Sequence, residues 1–283
     1  MSLDADDLHL HAAIAERLVP RLPAPERAAV QRQQLFERVR RSAIAHREYL
    51  TVRREDGAWQ ADGHGQEART LRQDATTRVE IVRLRQGATL TWPDGVTAQE
   101  VLVIEGALVD GGTGSPALAD AAGPASDDCA YRVRHRAAPN APWCAVGATT
   151  VYVRHLLVEV PELPALEAHW WRLGKPAAGW VYPGRRRWYQ TAQGVDVLPL
   201  QGDSDVVSML VRFAPGASVA DHRHALDEDC LVLEGEMFLG DILLRSGDYQ
   251  LAPAGGSHFG ETSDVGVLFF FHGALDPVLR AKA

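Results

Sequence analysis

The chain has 283 residues, 46% hydrophobic and 23% charged, and its 37 Asp and Glu against 29 Lys and Arg leave a formal net charge of -8. That length allows one large or two small domains, each with its own core. The acidic balance argues against direct DNA or RNA contact, and no run approaches the ~18 apolar residues of a membrane span. Cys129, Cys144 and Cys230 are an odd number with no Cys-x-x-Cys pair, which argues against a disulfide framework and a cysteine zinc finger.

Residues 1–48 read as a helical segment. The acidic start, Met1 to Asp7, lacks the basic-then-apolar pattern of an export signal, so the expected compartment is the cytoplasm. Leu8, Ala12, Ile14, Ala15 and Leu18 offer an apolar side before Pro20. Pro25 suits a first helical position and Glu26 a first turn. From there Ala29, Val30, Leu35, Phe36, Val39, Ala43 and Ile44 recur at helical spacing, with arginines between them. Such a helix packs on a barrel, on a second subunit or on a protein partner.

After Tyr49 the texture becomes short runs of Val, Leu, Ile and Tyr broken by Gly, Pro and Asp, which suits β structure. An internal repeat organises it. Gly87 and Gly216 stand 216 − 87 = 129 positions apart, and Gly106 and Gly235 stand 235 − 106 = 129 apart. Residues 99–106 lie over 228–235 without a gap, so the chain holds two copies of one β unit. The expected boundaries are a first unit at 49–160, a linker at 161–187 and a second unit at 188–275. A segment rich in Gly, Ala, Asp and Ser at 110–128 reads as a loop that lengthens the first copy.

The second copy carries the chemistry. Gly216 leads to His222-Arg-His224, then Glu228, then Gly235; downstream, Gly247 leads to Pro253, Gly255 and His258. Alternate strand residues face the same way, so His222 and His224 point together into a barrel. Glu228 and His258 then join them from other strands. Three imidazoles and one carboxylate suit Fe(II), Mn(II), Zn(II), Ni(II) or Cu(II) better than Mg or Ca. In the first copy the same offset places Pro93, Gly95 and Gln99 at the three ligand positions, a set that holds no metal, although Gln99 can hydrogen-bond within the barrel. One imidazole there, His135, does not make a site. Around the metal, Cys230 is expected to face inward two residues beyond Glu228, as a small buried hydrophobe or a redox-sensitive thiol. Phe269 and Phe271 are expected to line the pocket, with Tyr249 and Glu261 as surrounding polar groups.

These motifs resemble the cupin superfamily at every glycine, proline and ligand position except the last, where Thr262 replaces the asparagine that often closes the second motif. Leu210 to Gly216, His222-Arg-His224, Leu231 to Gly235, Gly247-Asp-Tyr249 and Pro253 to His258 look most like the ChrR-type cupins. The resemblance covers roughly 180–275 well and 50–160 more weakly. It implies a mainly β fold of two double-stranded β-helix (jelly-roll) barrels, a bicupin, after a short N-terminal helical segment. It also implies one divalent metal on His222, His224, Glu228 and His258. ChrR is an anti-sigma factor whose zinc-binding cupin governs release of a sigma factor; its N-terminal module uses a Cys-x-x-Cys pair that this chain lacks. The same group includes dioxygenases that cleave small ketones or diketones. Three functions stay open: a sensory or regulatory bicupin with zinc and a sigma-factor partner, an Fe(II) dioxygenase on a small organic substrate, and a metal-stabilised structural dimer. A homodimer is the expected assembly.

Overall fold

The computed structural model describes residues 24–110, 130–136, 142–158, 180–185, 187–202 and 206–274. The expected helix before Pro20, the 110–128 loop and most of the 161–187 linker lie outside these residues, as does the side chain of His135. By contacts the chain divides into residues 1–45 and 46–283. The first unit contributes most of a helix, Pro25–Glu48, which starts at the expected proline and buries none of its residues. No helix among the described residues is long and apolar enough to cross a membrane.

The second unit is mainly β and forms jelly-roll barrels, as the repeat requires. Its first large sheet orders Gln60–Ala61, Gln66–Gln73, Thr77–Leu84, Thr149–Leu156, Ala98–Glu105 and Ala130–His135. The second repeats that order with Tyr189–Ala192, Val195–Gly202, Val206–Phe213, Val267–Ala274, Glu228–Leu239 and Tyr249–Ala252. Smaller sheets face them: Thr89–Leu90, Trp143–Ala145 and Leu108–Asp110 in the first barrel, and the pair Ala217–Val219 with Glu261–Ser263 in the second. Gly235 lies inside the Glu228–Leu239 strand at φ 73°, and a Cβ there would lie 2.1 Å from the Gly266 carbonyl oxygen. Only glycine allows that approach.

The two large sheets bury both faces. In the second, Val197, Met209, Val211, Phe269 and Phe271 face their own barrel. The alternating residues Leu198, Leu200, Leu210, Leu231, Leu268 and Phe270 join Leu71, Val79, Ile81, Leu102, Tyr131 and Tyr152 of the first sheet in one shared core. Burial on both faces is why these strands read as unbroken apolar runs instead of alternating ones.

One expected boundary needs correction. Leu50–Val52 does not pair with the first barrel; it adds antiparallel to Tyr249–Ala252 of the second, with Val52 opposite Tyr249. In the reciprocal place, Val181, just before the second barrel, bridges Tyr131 of the first. Each barrel thus has an outer strand covered by the segment that leads into the other, which removes an exposed edge.

Candidate metal centre

Backbone pairing brings the four side chains together. His222 lies directly opposite His258 in a two-stranded ladder. The N–H of His224 donates to the Gly256 carbonyl at 3.0 Å, and that of Gly255 returns to the His224 carbonyl at 2.9 Å. Gly255 takes φ 80° to make this turn. Glu228 opens the Glu228–Leu239 strand beside them.

The donor atoms converge. His224 Nε2 lies 3.5 Å from Glu228 Oε2, and His258 Nε2 lies 3.9 Å from the same oxygen. One donor atom each of His222, His224 and Glu228 lies within 4.8 Å of the others. The imidazole centroids stand 4.3 Å (224 to 258), 5.4 Å (222 to 224) and 5.5 Å (222 to 258) apart. Two bonds of ~2.0–2.2 Å from one ion reach donors up to about 4.4 Å apart, which covers the 3.5 Å and 3.9 Å separations from Glu228 Oε2.

A buried nitrogen tests whether a metal fits. His224 Nε2, which faces Glu228, is buried with no hydrogen-bond partner. An unpaired buried polar atom is costly, so its presence asks for an explanation; an ion bound between the imidazoles supplies one. His222 Nδ1 lies 3.1 Å from the Ala220 carbonyl, a hydrogen bond that assigns the proton to Nδ1 and leaves Nε2 as the ligand atom. Burial, then the neighbouring His222, lowers the pKa of His224 to about 4. Burial, then His224 and His222, also holds His258 well below its ordinary value. Both imidazoles are therefore neutral at pH 7, the form that ligates.

A cavity of about 290 Å³ opens beside the cluster and is lined by His222, Glu228 and His258 on the polar side. Cys230, Glu261, Phe269 and Phe271 are among its lining residues. Burial, then the charges of Glu261 and Glu228, pushes the Cys230 thiol well up, so it stays protonated. Tyr249 does not belong here. It points to the opposite face of its strand, where its hydroxyl donates to Asp229 between the barrels; the neighbouring Gln250 lines the cavity instead. Strand alternation decides this, since neighbouring residues of one strand face opposite sides.

Tyr49 was not legible as a site residue. It precedes the exchanged strand, stands edge-on to His258 at 5.4 Å between centroids, and lies 6.4 Å from His224. Its hydroxyl donates to the Ser257 carbonyl, so it holds the turn that carries His258. Burial raises its pKa, and it remains a phenol. No local motif marks it; only the pairing of distant strands does.

In the first barrel the repeat places Gln99 where Glu228 stands. Gln99 hydrogen-bonds within the barrel: Arg134 Nε donates to its Oε1 at 2.8 Å and its Nε2 donates to the Thr91 carbonyl at 2.8 Å. The Arg134 guanidinium lies 4.0 Å over Trp143 and 4.7 Å over Trp92. A guanidinium held by an amide and two indoles fills this interior.

With that geometry in place, similarity to known proteins can be read against it. Residues 178–276 match the family model described as ChrR Cupin-like domain. This segment is similar to the ChrR cupin-like domains. Solved structures share the cupin fold across both barrels. A candidate dioxygenase from Nostoc punctiforme is 16% identical, with a TM-score of 0.57 over 82% of this chain and 88% of that one. A cupin 2 conserved barrel domain protein from Leptotrichia buccalis is 10% identical, with a TM-score of 0.50 over 80% and 96%. The anti-sigma ChrR of Rhodobacter sphaeroides, solved in complex with SigE, is 22% identical over 31% of this chain and 48% of that one, with a TM-score of 0.29. No curated protein matches the chain. The matched segment contains all four side chains of the cluster, whereas Tyr49 lies outside it.

Proposed function

We propose that His222, His224, Glu228 and His258 hold one divalent transition metal, and that a small organic molecule in the adjacent cavity is transformed there with oxygen. What carries this reading is the orphaned His224 Nε2 beside Glu228, next to a mainly apolar cavity. A bound metal supplies Lewis acidity and, as Fe(II), a redox couple. The protein's own residues do the remainder. Four donors leave one or two coordination positions open, Phe269 and Phe271 exclude water from the apolar side, and Tyr49 covers His258. The family's dioxygenases, which cleave small ketones and diketones, define the reaction class this arrangement would serve.

A second function, regulation, draws on a different observation. The Pro25–Glu48 helix ends at the residue before Tyr49, which lies against His258. In this alternative zinc occupies the site, and its state is relayed along the chain to a helix with exposed Leu35, Phe36 and Val39, a surface for a protein partner such as a sigma factor. A homodimer is proposed for either function, and a metal-stabilised structural dimer is what remains if neither chemistry nor relay operates.

Metal analysis by mass spectrometry, with oxygen uptake measured on a ketone and diketone panel under Fe(II), separates these functions. Oxygen consumption supports the dioxygenase. Bound zinc with no uptake supports regulation. The His222→Ala, His258→Ala double variant is expected to lose stoichiometric metal, and full retained occupancy would show that the ligands are misassigned.

A further inference from the structure

Arg72 belongs to the first barrel, on the Gln66–Gln73 strand, yet its guanidinium reaches the second. Its side chain is 12% exposed, and Nε and Nη2 lie 2.8 Å and 2.7 Å from Asp74 Oδ2, which fixes its direction. From that anchor Nη2 lies 2.8 Å from Asp227 Oδ2, and Nη1 lies 3.3 Å from Asp229 Oδ1. These two acids flank Glu228. Glu228 lines the cavity, while Arg72 holds the residue on each side of it from behind. Asp227 reaches further, since its Oδ1 accepts the Ala254 N–H at 2.9 Å. Ala254 precedes Gly255 and Gly256, whose backbone is bonded to that of His224, and the chain runs on from there to His258. The clamp is also one-sided. Arg72 and Gln201 stand 201 − 72 = 129 positions apart, as do Ala98 and Asp227, 227 − 98 = 129. At the equivalent places the second barrel therefore sends a neutral amide and the first offers a methyl group. A tie that only joined two barrels could run in either direction; this one runs toward the barrel with the imidazole cluster.

We infer that Arg72 is a positioning residue for the proposed metal centre, acting through Asp227 and Asp229 on Glu228 and on the turn that places His224 and His258. Groups that orient ligands without touching the ion change metal affinity by about 10- to 100-fold when altered. Arginine suits the task because its planar fork bonds several carboxylates at once in fixed directions, whereas lysine offers a point charge on a flexible stem. The first barrel thereby supports a site whose ligands all come from its neighbour. The inference rests on the metal-centre reading above.

Loading the full chain with Co(II) tests it, with affinity read by competition against a chromophoric chelator and ligand geometry read from the visible absorption bands of the ion. Arg72→Ala is expected to bind Co(II) about tenfold more weakly and to change those bands. Arg72→Lys keeps the charge without the fork, so its affinity should fall between the two. Asp227→Ala should lose a similar amount. The Arg72→Ala, Asp227→Ala double variant should bind about as weakly as the weaker single variant, because both side chains act along one path. Leu102→Ala, which opens a cavity in the shared core, should lower the denaturation midpoint and leave Co(II) affinity unchanged. If Arg72→Ala does not fold, Arg72→Lys and Asp227→Ala, the latter at a side chain 44% exposed, carry the same test. Unchanged affinity, or a loss with unchanged bands, overturns the inference and leaves the metal centre standing. Losses that multiply in the double variant, or an equal loss in Leu102→Ala, overturn it too, by removing the path through Asp227 or by assigning the effect to general destabilisation. An unaltered chain that binds no Co(II) takes the metal-centre reading down with it.

Discussion

Glu228 is held in place by the absence of a side chain. A Cβ built on Gly273 would come within 2.7 Å of Glu228 Cγ and 2.9 Å of Phe271 Cζ. The carboxylate can approach the imidazoles because the neighbouring strand is bare at that position. Gly273→Ala is expected to displace the Glu228 side chain and weaken metal binding about tenfold, in the range seen when groups supporting a ligand are altered. Competition against a chromophoric chelator measures this, and unchanged affinity would show that Glu228 is placed by other contacts. Gly256 has a comparable role nearer Tyr49: a Cβ there would lie 2.9 Å from the Pro253 carbonyl oxygen and 3.3 Å from the Tyr49 ring.

Among the elements, the exchanged strand matters most to the site. Leu50–Val52 pairs with Tyr249–Ala252, and Ala252 is in turn opposite Glu228. The strand therefore lies one step from a proposed ligand while it carries Tyr49 over another. Tyr49→Phe keeps the ring against His258 and loses the hydrogen bond to Ser257, at a cost of about 1 kcal/mol. Tyr49→Ala removes the ring as well, and truncating a buried aromatic costs about 3–5 kcal/mol. Denaturant unfolding should rank the two in that order. Metal affinity should fall clearly in Tyr49→Ala and little in Tyr49→Phe; equal losses would assign the effect to the hydroxyl alone.

At the scale of the whole molecule, the barrels meet across a buried polar seam. Arg154 Nη1 lies 2.6 Å from Glu100 Oε2, and its Nε lies 3.2 Å from Asp229 Oδ2. The repeat makes those two acids equivalent, 229 − 100 = 129 positions apart, and each accepts a tyrosine hydroxyl, Tyr131 on Glu100 at 2.7 Å and Tyr249 on Asp229. One guanidinium from the first barrel thus ties the strand that carries Glu228 to its counterpart. Arg154→Ala would leave both acids buried without their shared cation, a loss of about 3–5 kcal/mol, read as a lower denaturation midpoint.

The same seam sets an acid dependence. Burial would raise Glu100, but His272, then Arg154 and the hydrogen bonds around it, outweigh burial and bring its pKa to about 2. Burial and then Arg154 lower His272 to about 4. Both folded values lie below the unfolded ones, so the unfolded chain binds more protons in acid and stability rises with pH. The contribution of His272 is complete above about pH 6.5 and is lost as pH falls toward about 4; that of Glu100 is complete above about pH 4.5 and is lost toward about 2. Melting temperature should be level above about pH 6.5 and decline in two stages below it, and His272→Gln should shrink the first stage, to which His224 and His258 also contribute in the metal-free protein. A first stage undiminished in that variant would place the titration elsewhere.

Much of this was legible in the linear chain because the relevant physics is local. Fixed glycine spacings mark turns that need positive φ, His-x-His on a strand puts two imidazoles on one side, and a repeat in register forces two similar barrels. Those features determined the mainly β fold and the meeting of His222, His224, Glu228 and His258. Tertiary structure alone decided the rest. It sent Tyr249 to the seam and Gln250 to the cavity, brought Tyr49 over His258 from another part of the chain, and filled the first barrel with Arg134. Those outcomes depend on which face of a doubly buried sheet each residue takes and on which barrel an edge strand joins. Both choices are made by packing between residues far apart in sequence, and an unbroken apolar run carries no alternation from which to read them.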